Sequence, residues 1–209
     1  MEDVGCRTPD VGLFGRDGSA SALLIRHPAS GIRHPASGIR HPASGILHPA
    51  MSPPPKPASE SATEMVQVVL PNDANPLGFI LGGTVMHLVD IAGAIAALRH
   101  TRTRVVTAAV DGLQFLHPIK VGDLIILRAR VTCTFGTSLE VEVDVLSEET
   151  LTGVRQLTSH AFLTFVSVDA SGTRMPVPPL LVETDEDRRR CEEAHKRRAE
   201  RLEKRGTEG

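Results

Sequence analysis

From Val105 to Asp169 the chain is a succession of strand-like segments separated by turns too short to hold a helix. That constrains its fold more than any other feature. "RVVTAAVDGLQFL" is followed by the turn "HPIKVGD", then "LIILRARVTCTF", the turn "GTS", "LEVEVDVL", the turn "EETLTG" and finally "RQLTSHAFLTFVSVD". Strands joined this tightly pair as antiparallel neighbours, because a parallel return needs a crossover of about a dozen residues or more. "LEVEVDVL" alternates apolar and acidic residues without a break. It predicts a half-buried strand with Glu140, Glu142 and Asp144 facing water.

The segment before these strands has a different period. Val85, Leu88, Val89, Ala92, Ile95, Ala96 and Leu98 recur at three- and four-residue spacings, which predicts a helix over 83–100. At 1.5 Å per residue it spans about 27 Å. Small apolar residues dominate it, so it packs on most sides. Arg99 and His100 suit its negative end. Ahead of it, "MVQVVL" from Met65 is a short strand, and "NDANPLG" carries turn chemistry. One strand, one long helix and four further strands describe an α+β domain with the helix lying across an antiparallel sheet. The chain has no Trp and no Tyr, so Val, Ile, Leu, Ala and six Phe must build the core.

The two ends differ from this middle. "IRHPASG" occurs in tandem at 25–31, 32–38 and 39–45, followed by the degraded copy "ILHPAMS". Proline in every unit excludes a continuous helix despite the seven-residue period. The Pro-rich "SPPPKPASESATE" then has linker composition. Residues 1–63 are expected to be a disordered tail and linker. The perfect repeat reads as duplicated upstream sequence, with Met51 or Met65 as alternative starts. Residues 64–182 form the folded domain. Residues 183–209 form a charged helix or tail, with Thr184 as its cap and Asp187 in the capping-box position. It carries too few apolar residues to enter the core; it is either solvated or sends arginines to an anionic ligand.

Other classes are disfavoured. A formal net charge of -2 does not suit a general nucleic-acid binder. No apolar run approaches the roughly 18 residues a membrane span needs, and no secretory signal pattern opens the chain. Cys6, Cys133 and Cys191 are widely spaced and odd in number. They fit neither a disulfide framework nor a zinc knuckle, so a reducing, cytoplasmic setting is expected.

Asp90 is the one carboxylate inside the apolar helix. Its neighbours three and four positions away are Met86, His87, Gly93 and Ala94, none of which neutralises it. A lone carboxylate on a packed helix needs hydrogen bonds, a solvated cleft or a distant cation. The pattern alone does not choose among these.

"DANPLGFILGGTVMHLVDIAG", "TAAVDGLQFLHPIKVGD", "GTSLEVEVDV" and "AFLTFVSVD", in this order, resemble the acyl-CoA thioester hydrolases of the hotdog superfamily, most closely the cytosolic acyl-CoA hydrolase branch. The resemblance covers roughly 65–182. It implies a sheet wrapped around a central helix, and hydrolysis of acyl-CoA to a free acid and CoA. It implies no metal and no cofactor beyond the CoA of substrate and product. It also implies a homodimer that forms the active site, often a trimer of dimers. It places the catalytic aspartate at Asp90, acting as general base or nucleophile, and a positioning asparagine at Asn75 facing the aspartate of the other subunit. Gly82 and Gly83 precede the helix, and the Gly83 amide is the expected oxyanion donor. Thr107 and Asp111 fall beside the pantetheine arm, and Gly136, Thr137 and Ser138 near the CoA nucleotide. A carboxylate and aimed amides suffice for thioester hydrolysis, since thiolate is a good leaving group. The alternative is a non-catalytic acyl-CoA binding or sensing module on the same fold. The absence of "G-x-S-x-G" disfavours a serine hydrolase.

Overall fold

A computed structural model describes residues 53–207. The repeat, its histidines and Cys6 lie outside them. In chain order the elements are β1 (Lys56–Pro57), a 3-10 turn (Ala58–Ser61), β2 (Thr63–Val68), α1 (Gly82–Thr101), β3 (Arg104–Phe115), β4 (Leu124–Phe135), β5 (Ser138–Glu148), β6 (Arg155–Val168), β7 (Leu180–Leu181) and α2 (Asp185–Thr207). A short 3-10 turn, Pro71–Asp73, opens the β2–α1 loop. The expected helix and the four consecutive strands are all present.

The sheet has the order β2-β4-β5-β6-β3 and is antiparallel throughout. α1 touches all five strands. Ile125, Leu127, Ala129 and Val131 of β4, Leu139, Val141, Val143 and Val145 of β5, and Ala161, Leu163 and Phe165 of β6 face it and close one core. Small residues on the helix allow the close approach: Ala92, Ala96 and Ala97 are fully buried. A Cβ added at Gly93 would sit 3.1 Å from the buried Phe165 ring.

Two bulges change which residues face the core, and strict period-2 reading does not foresee them. The β4–β5 register shifts between Val131 and Cys133. Up to Val131 the odd-numbered residues of β4 point inward. Beyond the shift, Cys133 and Phe135 point outward to α2. The β3–β6 register shifts between Thr107 and Ala109. Thr107 registers with inward-facing Phe165, whereas Asp111 registers with Phe162 on the outer face.

Three expectations need correction. The linker ends earlier than composition implies. Lys56 donates its amide to Pro179 O at 2.9 Å and its ammonium to His100 O at 2.9 Å. Ser61 is fully buried, and its hydroxyl accepts the Val131 amide at 2.9 Å where β4 outruns β2.

The acidic face of β5 is only partly in water, because α2 lies over Glu140 and Glu142 while Asp144 keeps its exposure. Glu140 is 1% exposed. Arg197 donates to Glu140 through two nitrogens, at 2.7 and 3.1 Å, and its guanidinium stacks on Phe162. Arg190 pairs with Glu142 at 3.0 Å. Thr184 caps α2 as expected, accepting the Asp187 amide at 3.0 Å. The arginines Arg190, Arg197 and Arg201 thus meet the chain's own carboxylates.

The third correction concerns the cysteines. Cys133 and Cys191 form a disulfide across 58 residues of sequence. Cysteine spacing could not show it, because a bulge and a helix docked from the chain's end bring the two sulfurs together.

Candidate active site

The β2–α1 loop is held by its own polar side chains. Asn75 Oδ1 accepts the amides of Leu77 at 3.0 Å and Phe79 at 3.2 Å. The Asn75 amide donates to Phe79 O at 2.8 Å, and Gly78 returns a bond to Asn75 O at 2.9 Å. Gly78 has φ of 79°, which favours glycine there. Leu81 donates to Asp73 O at 2.8 Å, which anchors the residue preceding the helix. Turn formation thus engages the Asn75 carbonyl oxygen, and its side-chain NH2 is the group it can offer a substrate.

α1 begins with no side-chain cap, so its first-turn amides are available to a ligand's oxygen. A Cβ at Gly82 would meet the Phe115 ring at 3.4 Å, whereas at Gly83 it would meet nothing within 4 Å among the described residues. Asn75, Gly82, Phe115, His117 and Ser159 help line a cleft of about 360 Å³ beside this helix start. Of these, Phe115, His117 and Ser159 are not among the site residues expected from the sequence. Phe115, an aromatic residue closing a strand-like segment, is the available signal.

Asp90 lies eight residues further along α1, about 12 Å by helical rise, and does not line that cleft. It is half-buried, and its Oδ1 accepts the Thr107 hydroxyl at 2.7 Å. Within one chain, therefore, Asn75 and Gly82 share the cleft, while Asp90 and Thr107 form a second group at another level of α1. Around both groups the surface is apolar: Leu81, Met86, Val106, Val110 and Phe115 are 45–53% exposed.

The other expected site residues are elsewhere. Asp111 turns away from Thr107 through the bulge and pairs with Arg201 of α2. Thr107 and Asp111, both expected beside the pantetheine arm, therefore lie on opposite faces of the strand. Gly136 and Thr137 make the β4–β5 hairpin. Their backbone is engaged within the chain: Val177 donates to Gly136 O at 2.7 Å and Ser167 to Thr137 O at 3.0 Å. Ser138 registers with Val166, one residue from Phe165, the partner of Thr107. The hairpin and Thr107 thus sit at one end of the sheet.

The titratable groups with displaced pKa values lie away from Asp90. Burial holds the His100 imidazole below its ordinary value; its Nε2 donates to Pro178 O at 2.9 Å, and its buried Nδ1 has no partner among the described residues. On the outer face the hydrogen bond to Asp144 raises His160, and burial raises Glu142. Among the described residues, the groups with metal-ligand spacing are Cys133–Cys191–His195 and Glu142–Asp144–His160. Both are on that outer face, and neither includes Asp90.

Residues 77–154 match the family model described as the thioesterase superfamily. An uncharacterized acyl-CoA thioester hydrolase of Bacillus subtilis is 39% identical over 128 residues, covering 61% of this chain and 74% of that one. The chain belongs to the thioesterase superfamily. A solved apo-hexameric acyl-CoA thioesterase is 41% identical, with a TM-score of 0.70 over 72% of this chain and 97% of its own. The helix-in-sheet architecture is thus the hotdog fold of this superfamily. The cytosolic acyl coenzyme A thioester hydrolase of Mus musculus is 37% identical over 145 residues. This thioesterase-superfamily chain spans 38% of that relative's length. Among the described residues, no helix is long and apolar enough to cross a membrane.

Proposed function

We propose that this protein hydrolyses acyl-CoA thioesters to the free acid and CoA in the cytosol, in an active site shared between two copies of the chain. The observation that carries this reading is Asp90. It is a half-buried carboxylate held by Thr107 inside an exposed apolar face, apart from the Asn75 cleft of its own chain. A second copy laid on that face brings its Asn75 loop to this chain's Asp90. The apo-hexameric relative supports such an assembly.

Thr107 engages Oδ1 of Asp90, leaving Oδ2 to take the proton of the attacking water. The open amide of Gly83 receives the oxyanion. The Asn75 side-chain NH2 positions the water or the carbonyl, and CoA leaves as thiolate. The hydroxyls of Thr137 and Ser138 meet the nucleotide end. CoA enters only as part of substrate and product, and the chemistry requires no metal. A solved set of Staphylococcus aureus acyl-CoA hydrolase variants supports the choice of Asn75, Asp90 and Thr107. Three of them replace an asparagine, an aspartate and a threonine with alanine, at positions spaced by 15 and 17 residues. Asn75, Asp90 and Thr107 are separated by the same intervals.

The test is free-thiol release from a panel of acyl-CoAs. Asp90→Asn should keep the fold and lose at least about a hundredfold in rate. Unchanged turnover would defeat the assignment. Tight acyl-CoA binding without thiol release by the wild-type protein would favour a binding module instead. A single turnover in ¹⁸O-water separates base from nucleophile: label entering the Asp90 side chain would show that the carboxylate itself attacks.

A further inference from the structure

The geometry points to a redox-responsive latch: the Cys133–Cys191 cross-link fixes α2 on the outer face of the sheet, and its reduction releases the helix.

Three observations converge on this. The bulge after Val131 turns Cys133 from the core to the outer face, where it meets Cys191. The stripe of α2 facing the sheet is polar. It consists of Asp187, Arg190, Cys191, Ala194, Arg197 and Arg201, of which Ala194 is the fully buried apolar member. Without the cross-link, α2 is held largely by ion pairs whose arginines keep partial access to water. Taking such charges partly out of water costs much of what their attraction returns, so the pairs add little net hold on the helix. Finally, the two sulfurs differ in access: Cys133 is 2% exposed, whereas Cys191 is half-buried near the helix surface. His195, one turn beyond Cys191, brings a ring nitrogen within 4.8 Å of both sulfurs.

The exchange balances with a dithiol as reductant. Its thiolate attacks Cys191 Sγ, the S–S bond breaks, and Cys133 leaves as a thiolate that takes up a proton. The second thiol of the reagent then attacks the mixed disulfide and releases Cys191, which is protonated in turn. The reagent ends as a cyclic disulfide, having given two electrons and two protons. In the reverse direction glutathione disulfide accepts the electrons and leaves as two glutathione thiols. The latch reaches the catalytic strand indirectly: α2 also pairs Arg201 with Asp111 of β3, four residues beyond Thr107.

The experiment uses the full chain, equilibrated in dithiothreitol or in glutathione disulfide, with differential alkylation and amide hydrogen exchange read by mass spectrometry. In the oxidised protein the peptides holding Cys133 and Cys191 should be cross-linked. Amides of residues 185–207 should then exchange at least about tenfold more slowly than in the reduced protein, with the β5 amides unchanged. Cys191→Ser should match the reduced wild type under both conditions, and Cys6→Ser should behave as wild type. The inference is overturned if both thiols stay alkylatable in glutathione disulfide, if either pairs with Cys6, or if α2 exchanges equally in the two states. None of these readouts involves turnover, so they stand apart from the thioesterase reading.

Discussion

Replacing Thr107 by valine removes one hydroxyl and leaves the β-branched shape that the strand accommodates. In the structure that hydroxyl donates to Asp90 Oδ1 at 2.7 Å. A hydrogen bond to a charged group contributes about 1.5–3 kcal/mol. Thr107 is exposed in the single chain, so water can replace part of the bond, and the lower end of that range applies. At about 1.4 kcal/mol per factor of ten, the expected loss is about tenfold. The loss should fall on kcat, because the bond orients the carboxylate and does not hold the substrate; KM should stay within about twofold. Thr107→Ser keeps the donor and should recover most of the rate. Steady-state free-thiol release on one acyl-CoA suffices for the three proteins. A raised KM with unchanged kcat in the valine variant would refute the reasoning and make Thr107 a substrate contact. Unchanged values of both would make the bond incidental.

Arg197→Ala leaves the Glu140 carboxylate buried without its guanidinium. The expected cost is about 3–5 kcal/mol, capped by the free energy of docking α2, since a released helix lets water reach Glu140. Urea unfolding measures it, and pairing the change with Glu140→Leu should return most of the loss. Gly93→Val forces a branched side chain against the Phe165 ring and should cost about 1–3 kcal/mol by overpacking; an unchanged urea midpoint would contradict the close packing described. Acidification should weaken the fold through His100. Its folded pKa lies below the unfolded value of 6.5, so the folded state binds fewer protons. The contribution is whole above that value and declines as pH falls through it toward the lowered folded pKa. His160 shifts the opposite way but is common to wild type and a His100→Gln variant. The variant should therefore show the smaller fall in melting temperature between about pH 7.5 and pH 5.5.

The long elements were legible because their signals are local. The apolar positions of 83–100 repeat with the helical period, and the alternation of Leu139, Val141, Val143 and Val145 marks the buried face of β5. Asp90 drew attention as the carboxylate in an otherwise apolar helix, and the Asn-Asp-Gly turn before it formed as its chemistry predicts. What failed was inference across a bulge or across the chain. Period-2 reading puts Thr107 and Asp111 on one face, whereas the shift at Ala108 separates them. The same reading leaves Glu140 in water, because nothing near it in sequence announces that Arg197 will cover it. Lys56–Ser61 looked like a linker because its polar residues bury only by meeting distant partners, His100, Pro179 and Val131.

The sequence by itself determined the α+β class, the order of helix and strands, the turn before α1 and the carboxylate within it. All of these follow from periodicity and turn chemistry acting over a few residues. Only the tertiary structure decided that Thr107 holds Asp90, that Asn75 lies in a separate cleft, that α2 neutralises the outer face and that Cys133 meets Cys191. Those outcomes depend on strand register and helix docking, in which a single extra residue reverses the direction of every side chain that follows it.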